Sequence, residues 1–91
     1  MENFKIIRIN SDQIHFKIGK KRGKTEISTL NTFTDIINNI LTSSSMDSYK
    51  RIIIREKNIR VVGNESRLKL DFDQIDQSLL NNFIEELKGL S

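Results

Sequence analysis

The chain has 91 residues, no cysteine, no proline and a formal net charge of +3. That length makes one small domain, near the lower end of what folds without staples. The missing thiols exclude disulfides and a Cys-ligated zinc, and a reducing, cytoplasmic setting is the expected one. No apolar run approaches the ~20 residues needed to span a bilayer, so no membrane partner is expected. Ile, Asn and Lys supply 15, 9 and 9 residues, while Ala and Trp are absent. All three of the abundant types have AT-rich codons. Without Ala, helix stability has to come from tertiary packing rather than from intrinsic propensity.

In chain order, residues 4–9, 13–18 and 24–28 read as strands, on β-branched and aromatic enrichment with period-two alternation. Asn10-Ser11-Asp12 is a short polar turn. The next connection, Gly19-Lys20-Lys21-Arg22-Gly23, carries glycine at both ends and reads as a basic hairpin loop. Leu30, Phe33, Ile36, Ile37, Ile40 and Leu41 then follow helical spacing. Thr32 with Asp35 three residues on resembles a capping box. Residues 42–48, rich in serine, read as a flexible bridge. Strands are expected again at 50–55, 58–62 and 67–72, the last two joined by Gly63-Asn64-Glu65-Ser66. A second helix at about 74–88 buries Ile75, Leu79, Leu80, Phe83, Ile84 and Leu87, with acids at its start and Gly89 placed to end it.

The order strand-strand-strand-helix is thus written twice, 45 residues apart. Phe4-Lys-Ile-Ile-Arg-Ile9 aligns with Tyr49-Lys-Arg-Ile-Ile-Ile54, Ile14-His-Phe16 with Ile59-Arg-Val61, and Lys24-Thr-Glu-Ile27 with Lys69-Leu-Asp-Phe72. One added residue aligns the helices, Phe33, Ile37 and Leu41 on Leu79, Phe83 and Leu87. Residues 1–91 therefore read as a single domain of two pseudo-repeats, 4–41 and 49–87, joined by 42–48. Neither half is large enough to bury its own sheet and helix. The expected fold is α+β: one six-stranded antiparallel sheet with both helices on one face.

Alternation then sorts the side chains. Ile14, Phe16, Ile18, Ile27, Ile52, Ile54, Ile59, Val61, Leu68, Leu70 and Phe72 should face the helices. Arg8, His15, Lys17, Lys24, Arg51, Arg55, Arg60, Arg67 and Lys69 should gather on the other face, with some apolar surface from Ile6, Ile53 and Val62. The net charge hides this asymmetry: residues 4–24 hold seven Lys/Arg against one Asp, whereas residues 71–91 hold five acids against one Lys.

A flat field of cations suits a phosphate backbone, which releases counterions when neutralised. Phe4 and Tyr49, at matching strand starts, offer rings for base stacking. Lys20, Lys21 and Arg22, with Lys24, form a basic finger suited to clamping a backbone, and the second copy has no counterpart to it. No enzymatic constellation stands beside this. His15 has no nucleophile or carboxylate at a telling spacing, the serines of 43–45 lack an elbow, and no glycine-rich loop opens a helix. The acids of Asp71-Phe-Asp-Gln-Ile-Asp76 read as helix caps rather than metal ligands, since an EF-hand glycine and terminal Glu are missing. No catalytic residue, cofactor or metal is expected.

Repeated strands followed by one helix are similar in topology to the PUR-type single-stranded nucleic-acid-binding modules, although those have four strands per helix and share no sequence motif with this chain. The likeness is one of topology. The leading expectation is a small, non-enzymatic protein that binds single-stranded or structured RNA or DNA. Duplex DNA is disfavoured because no helix carries a basic face suited to the major groove. The alternative is a compact inhibitor or adaptor, of the kind mobile elements direct at a host protein, that docks through the same face or an edge strand. Free sheet edges also leave homodimerisation open.

Overall fold

A computed structural model describes residues 4–90. It contains β1 (Phe4–Asn10), β2 (Gln13–Ile18), β3 (Lys21–Glu26), α1 (Phe33–Ser44), β4 (Arg51–Arg55), β5 (Asn58–Val62), β6 (Arg67–Asp71) and α2 (Gln77–Leu90). A single 3-10 turn follows each triplet of strands, at Ile27–Thr29 and Phe72–Gln74. The six strands form one antiparallel sheet in the order β3-β2-β1-β4-β5-β6. Both helices cover one face of it, so the fold is α+β.

The strand registers explain how the face is organised. β1 meets β4 at the centre, with Ile7 opposite Ile54 and Ile9 opposite Ile52, all fully buried. Between them, Arg8 lies opposite Ile53 and points to the other side. Ile7 pairs with Phe16 in β2, and the positions 45 further on, Ile52 and Val61, pair likewise. Ile14 with Thr25 and Ile59 with Leu70 repeat the relation on the outer strands. The ladder therefore has a local two-fold axis between Arg8 and Ile53.

The helices match at a different offset from the expected 46. Phe33, Ile36, Ile37 and Ile40 are the buried hydrophobic residues of α1, and Leu80, Phe83, Ile84 and Leu87 are those of α2. These quartets superimpose at 47, so two residues rather than one separate the copies here. Leu79 is only partly buried and Leu80 takes the deep position.

The helices run antiparallel and tie each other's starts. The Glu86 carboxylate accepts from the Asn31 and Thr32 backbone N–H groups, each at 3.0 Å, and from the Thr32 hydroxyl at 2.6 Å. The Thr32 hydroxyl is thereby committed to α2, and the expected capping box with Asp35 does not form. In return, the Asn39 side-chain oxygen accepts from the Asp76 N–H at 2.9 Å. Asp76 itself caps α2, accepting from Ser78 and Leu79 N–H at 2.8 and 3.2 Å. Phe33 and Phe83 pack as a tilted ring pair between the helices, 6.4 Å apart.

Other local expectations are corrected. α1 continues through residues 42–44, so the bridge between the halves shrinks to 45–50. α2 runs through Gly89 to Leu90 rather than stopping there. The β2–β3 connection is a two-residue turn, because Ile18 pairs directly with Lys21. Gly19 alone supplies the positive φ, 60°, as the first position of a tight hairpin turn requires. Gly23 sits instead within β3 beneath the ring of Phe16, where an added Cβ would run into the ring tip. Leu68 is on the helix side by register, opposite Val61, yet remains 42% exposed on the edge strand.

Candidate nucleic-acid interface

The face away from the helices is assembled from every second residue of six strands. Its middle row crosses the whole sheet: Lys24, His15, Arg8, Ile53, Arg60 and Lys69, each directly opposite the next. On one side of that row run Arg22, Lys17, Ile6 and Arg55. On the other run Asn10, Arg51, Val62 and Arg67. Six strands at ~4.8 Å spacing spread these groups across roughly 24 Å. The carboxylates on this face are Glu26, opposite Gln13, and Asp71, opposite Asn58, at two-fold-related corners.

Nine Lys and Arg side chains thus share one surface: Arg8, Lys17, Arg22, Lys24, Arg51, Arg55, Arg60, Arg67 and Lys69. None of the nine forms an ion pair among the described residues, where the salt bridges are Lys5 with Glu56 and Lys88 with Glu85. Lys17 faces Arg22 and Arg60 faces Lys69 directly across strands. Like charges so placed are destabilising. Ile53 lies within this field at 9% exposure, between Arg8 and Arg60 across the neighbouring strands. Arginine and lysine stems are apolar and can cover such a residue while their heads stay in water.

Two of the expected basic residues do not join the face. Lys20 is at the tip of the tight turn, and Lys21, opposite Ile18, is on the helix side of β3. The five-residue basic finger is therefore a corner of the sheet, with Arg22 and Lys24 in the shared surface. Neither expected stacking ring is free. The register shifts between Phe4 and Ile6, a bulge at Lys5, which turns Phe4 into the core at 1% exposure. There it stacks on Phe72 with ring centroids 6.2 Å apart. Without the bulge, Phe4 and Ile6 would share a face. Tyr49 is partly buried against the core, and that desolvation raises its phenol pKa above the ordinary value.

Asn10, Gln13 and Asn58 also fall on this side by register, each partly buried, with the Asn58 side-chain oxygen fully buried and without a hydrogen-bond partner among the described residues; alternation from Arg8 and His15 would have found the first two. The acids of 71–76 are distributed as the capping reading implies for Asp76, while the Asp71 N–H donates to the Gln74 side-chain oxygen at 2.8 Å. No group of three His, Cys, Asp or Glu side chains among the described residues could hold a metal ion. No helix among them is long and apolar enough to cross a membrane.

No family model matches the chain, and no curated protein or solved structure is significantly similar to it.

Proposed function

We propose that this protein is a non-enzymatic nucleic-acid-binding module that holds phosphates of single-stranded or structured RNA or DNA on its open sheet face. The observation that carries the reading is the set of nine unpaired cations on one surface, maintained despite like-charge neighbours. Folding alone gains nothing from that arrangement, because mixed charges would solvate the sheet equally well and repel less. A polyanion converts the repulsion into affinity.

Replacing Arg55 and Arg60 together with Gln tests it. Both side chains are exposed, so the fold should persist. Affinity should fall, and the dependence of log K on log salt should flatten by about one unit for each phosphate that is no longer neutralised. Unchanged affinity in the double variant moves the site off the sheet. Protein isolated at low salt should also carry 260 nm absorbance that high salt removes.

Docking of a protein partner has its own supporting feature, the partly apolar strip of Ile6, Ile53 and Val62 within the cations. A clean preparation that retains a single stoichiometric polypeptide, and binds neither RNA nor DNA, would establish that role instead.

A further inference from the structure

The open face carries the same local two-fold axis as the strand ladder, and this bears on the form of its ligand. Two shallow depressions flank the axis, one over β1–β3 and one over β4–β6, of about 520 and 480 Å³. Their lining positions correspond at the 45-residue offset, Ile6 with Arg51, Lys17 with Val62 and Arg22 with Arg67, so both depressions are basic although only the last of these pairs has a cation at both positions. The axis passes between Arg8 and Ile53, and the depressions are centred about three strand spacings apart, roughly 14 Å. One surface thus presents two basic sites facing in opposite directions.

A single strand has one direction, so it would meet the second site reversed. A base-paired segment has two antiparallel strands related by local dyads, and each can meet one site in the same sense. Two further features point the same way. Single-strand platforms stack bases on aromatic rings, but Phe4 and Phe16 are buried and Tyr49 packs against the core. Long projections would also be needed to enter a deep groove, whereas Gly19-Lys20 is a tight turn and the face is built of strands. A surface without long projections suits the wide, shallow minor groove of an A-form helix, which is read by shape and by phosphate and 2′-hydroxyl contacts.

We propose that the face binds double-stranded RNA across its minor groove, with the local two-fold axis on a dyad of the duplex and one strand's phosphates in each depression. The proposal rests on the nucleic-acid reading above. Its test is fluorescence anisotropy with one short labelled RNA duplex, the DNA duplex of the same sequence and either RNA strand alone. The RNA duplex should bind roughly tenfold tighter than the other two. Lys17→Gln with Arg22→Gln on one half, and Arg51→Gln with Arg67→Gln on the other, should each flatten the duplex salt dependence by about two units. Tighter or equal binding of the single strand or the DNA duplex overturns the proposal and leaves the nucleic-acid reading standing. So does a large effect from one half with none from the other. Absence of binding to all three removes both.

Discussion

At the scale of single residues, one carboxylate and one glycine hold most of the leverage. Glu86 gathers three donors ahead of α1, and those hydrogen bonds, the Thr32 hydroxyl first, hold its pKa below the ordinary glutamate value. A carboxyl with a lowered folded-state pKa contributes stability above its unfolded pKa and loses it as pH falls through the folded one. Glu86→Gln should therefore lower stability at neutral pH by about 1 kcal/mol, the scale of removing a helix cap. Denaturant melts should also show the variant and the parent converging as pH drops below about 4.3, the unperturbed glutamate value. Gly23 makes the second prediction. Its missing Cβ admits the Phe16 ring, which is 5% exposed and has core on its other sides. Gly23→Ala should cost ~1–3 kcal/mol, as overpacking does. Adding Phe16→Leu should recover part of that loss, a coupling that a thermal-denaturation double-mutant cycle measures directly.

At the scale of elements, β3 separates a basic sequence from a basic surface. Lys21 and Arg22 are adjacent in the chain, yet they stand on opposite faces, opposite Ile18 and Lys17 respectively. Arg22→Gln should weaken binding of a polyanion and flatten its salt dependence by about one unit, while Lys21→Gln leaves the slope nearly unchanged. Lys21→Gln should melt with the parent, since exposed charges contribute little to stability, and Arg22→Gln should melt no lower, because it relieves the repulsion from Lys17. Equal losses from the two would mean that the edge acts as a flexible charged corner, and the face would lose its claim. The edges also bear on self-association. Lys21, Arg22 and Lys24 lie on β3 and Arg67 and Lys69 on β6, and charged edge strands resist pairing with another chain.

At the scale of the whole molecule, the two strand triplets share one core. Phe83, Leu80 and Leu87 of α2 belong to the same buried cluster as Ile7, Ile14 and Phe16 of the first half. Leu80→Ala should lower stability by ~2–5 kcal/mol, the range for large-to-small changes in a core. It should do so through one transition that melts both halves together. Two separated transitions would show that the triplets fold independently, against the continuous β1–β4 ladder.

Residue order alone carries the class of fold, the number of strands and the collection of Arg8, Lys17, Arg51, Arg55, Arg60, Arg67 and Lys69 on one surface. Alternation is a local property: a strand with one buried face declares its sides residue by residue. Contacts between distant elements set what alternation cannot carry. The bulge at Lys5 sends Phe4 to the core, because its ring can stack on Phe72, a residue 68 positions away that no local pattern connects to it. The same dependence on a distant partner gave Thr32 to Glu86 instead of to its own helix, while the two-residue turn at Gly19-Lys20 placed Gly23 within β3 under Phe16. The two-fold register at Arg8 and Ile53 is likewise a property of β1 meeting β4, and only that meeting turns two sets of basic strands into one face.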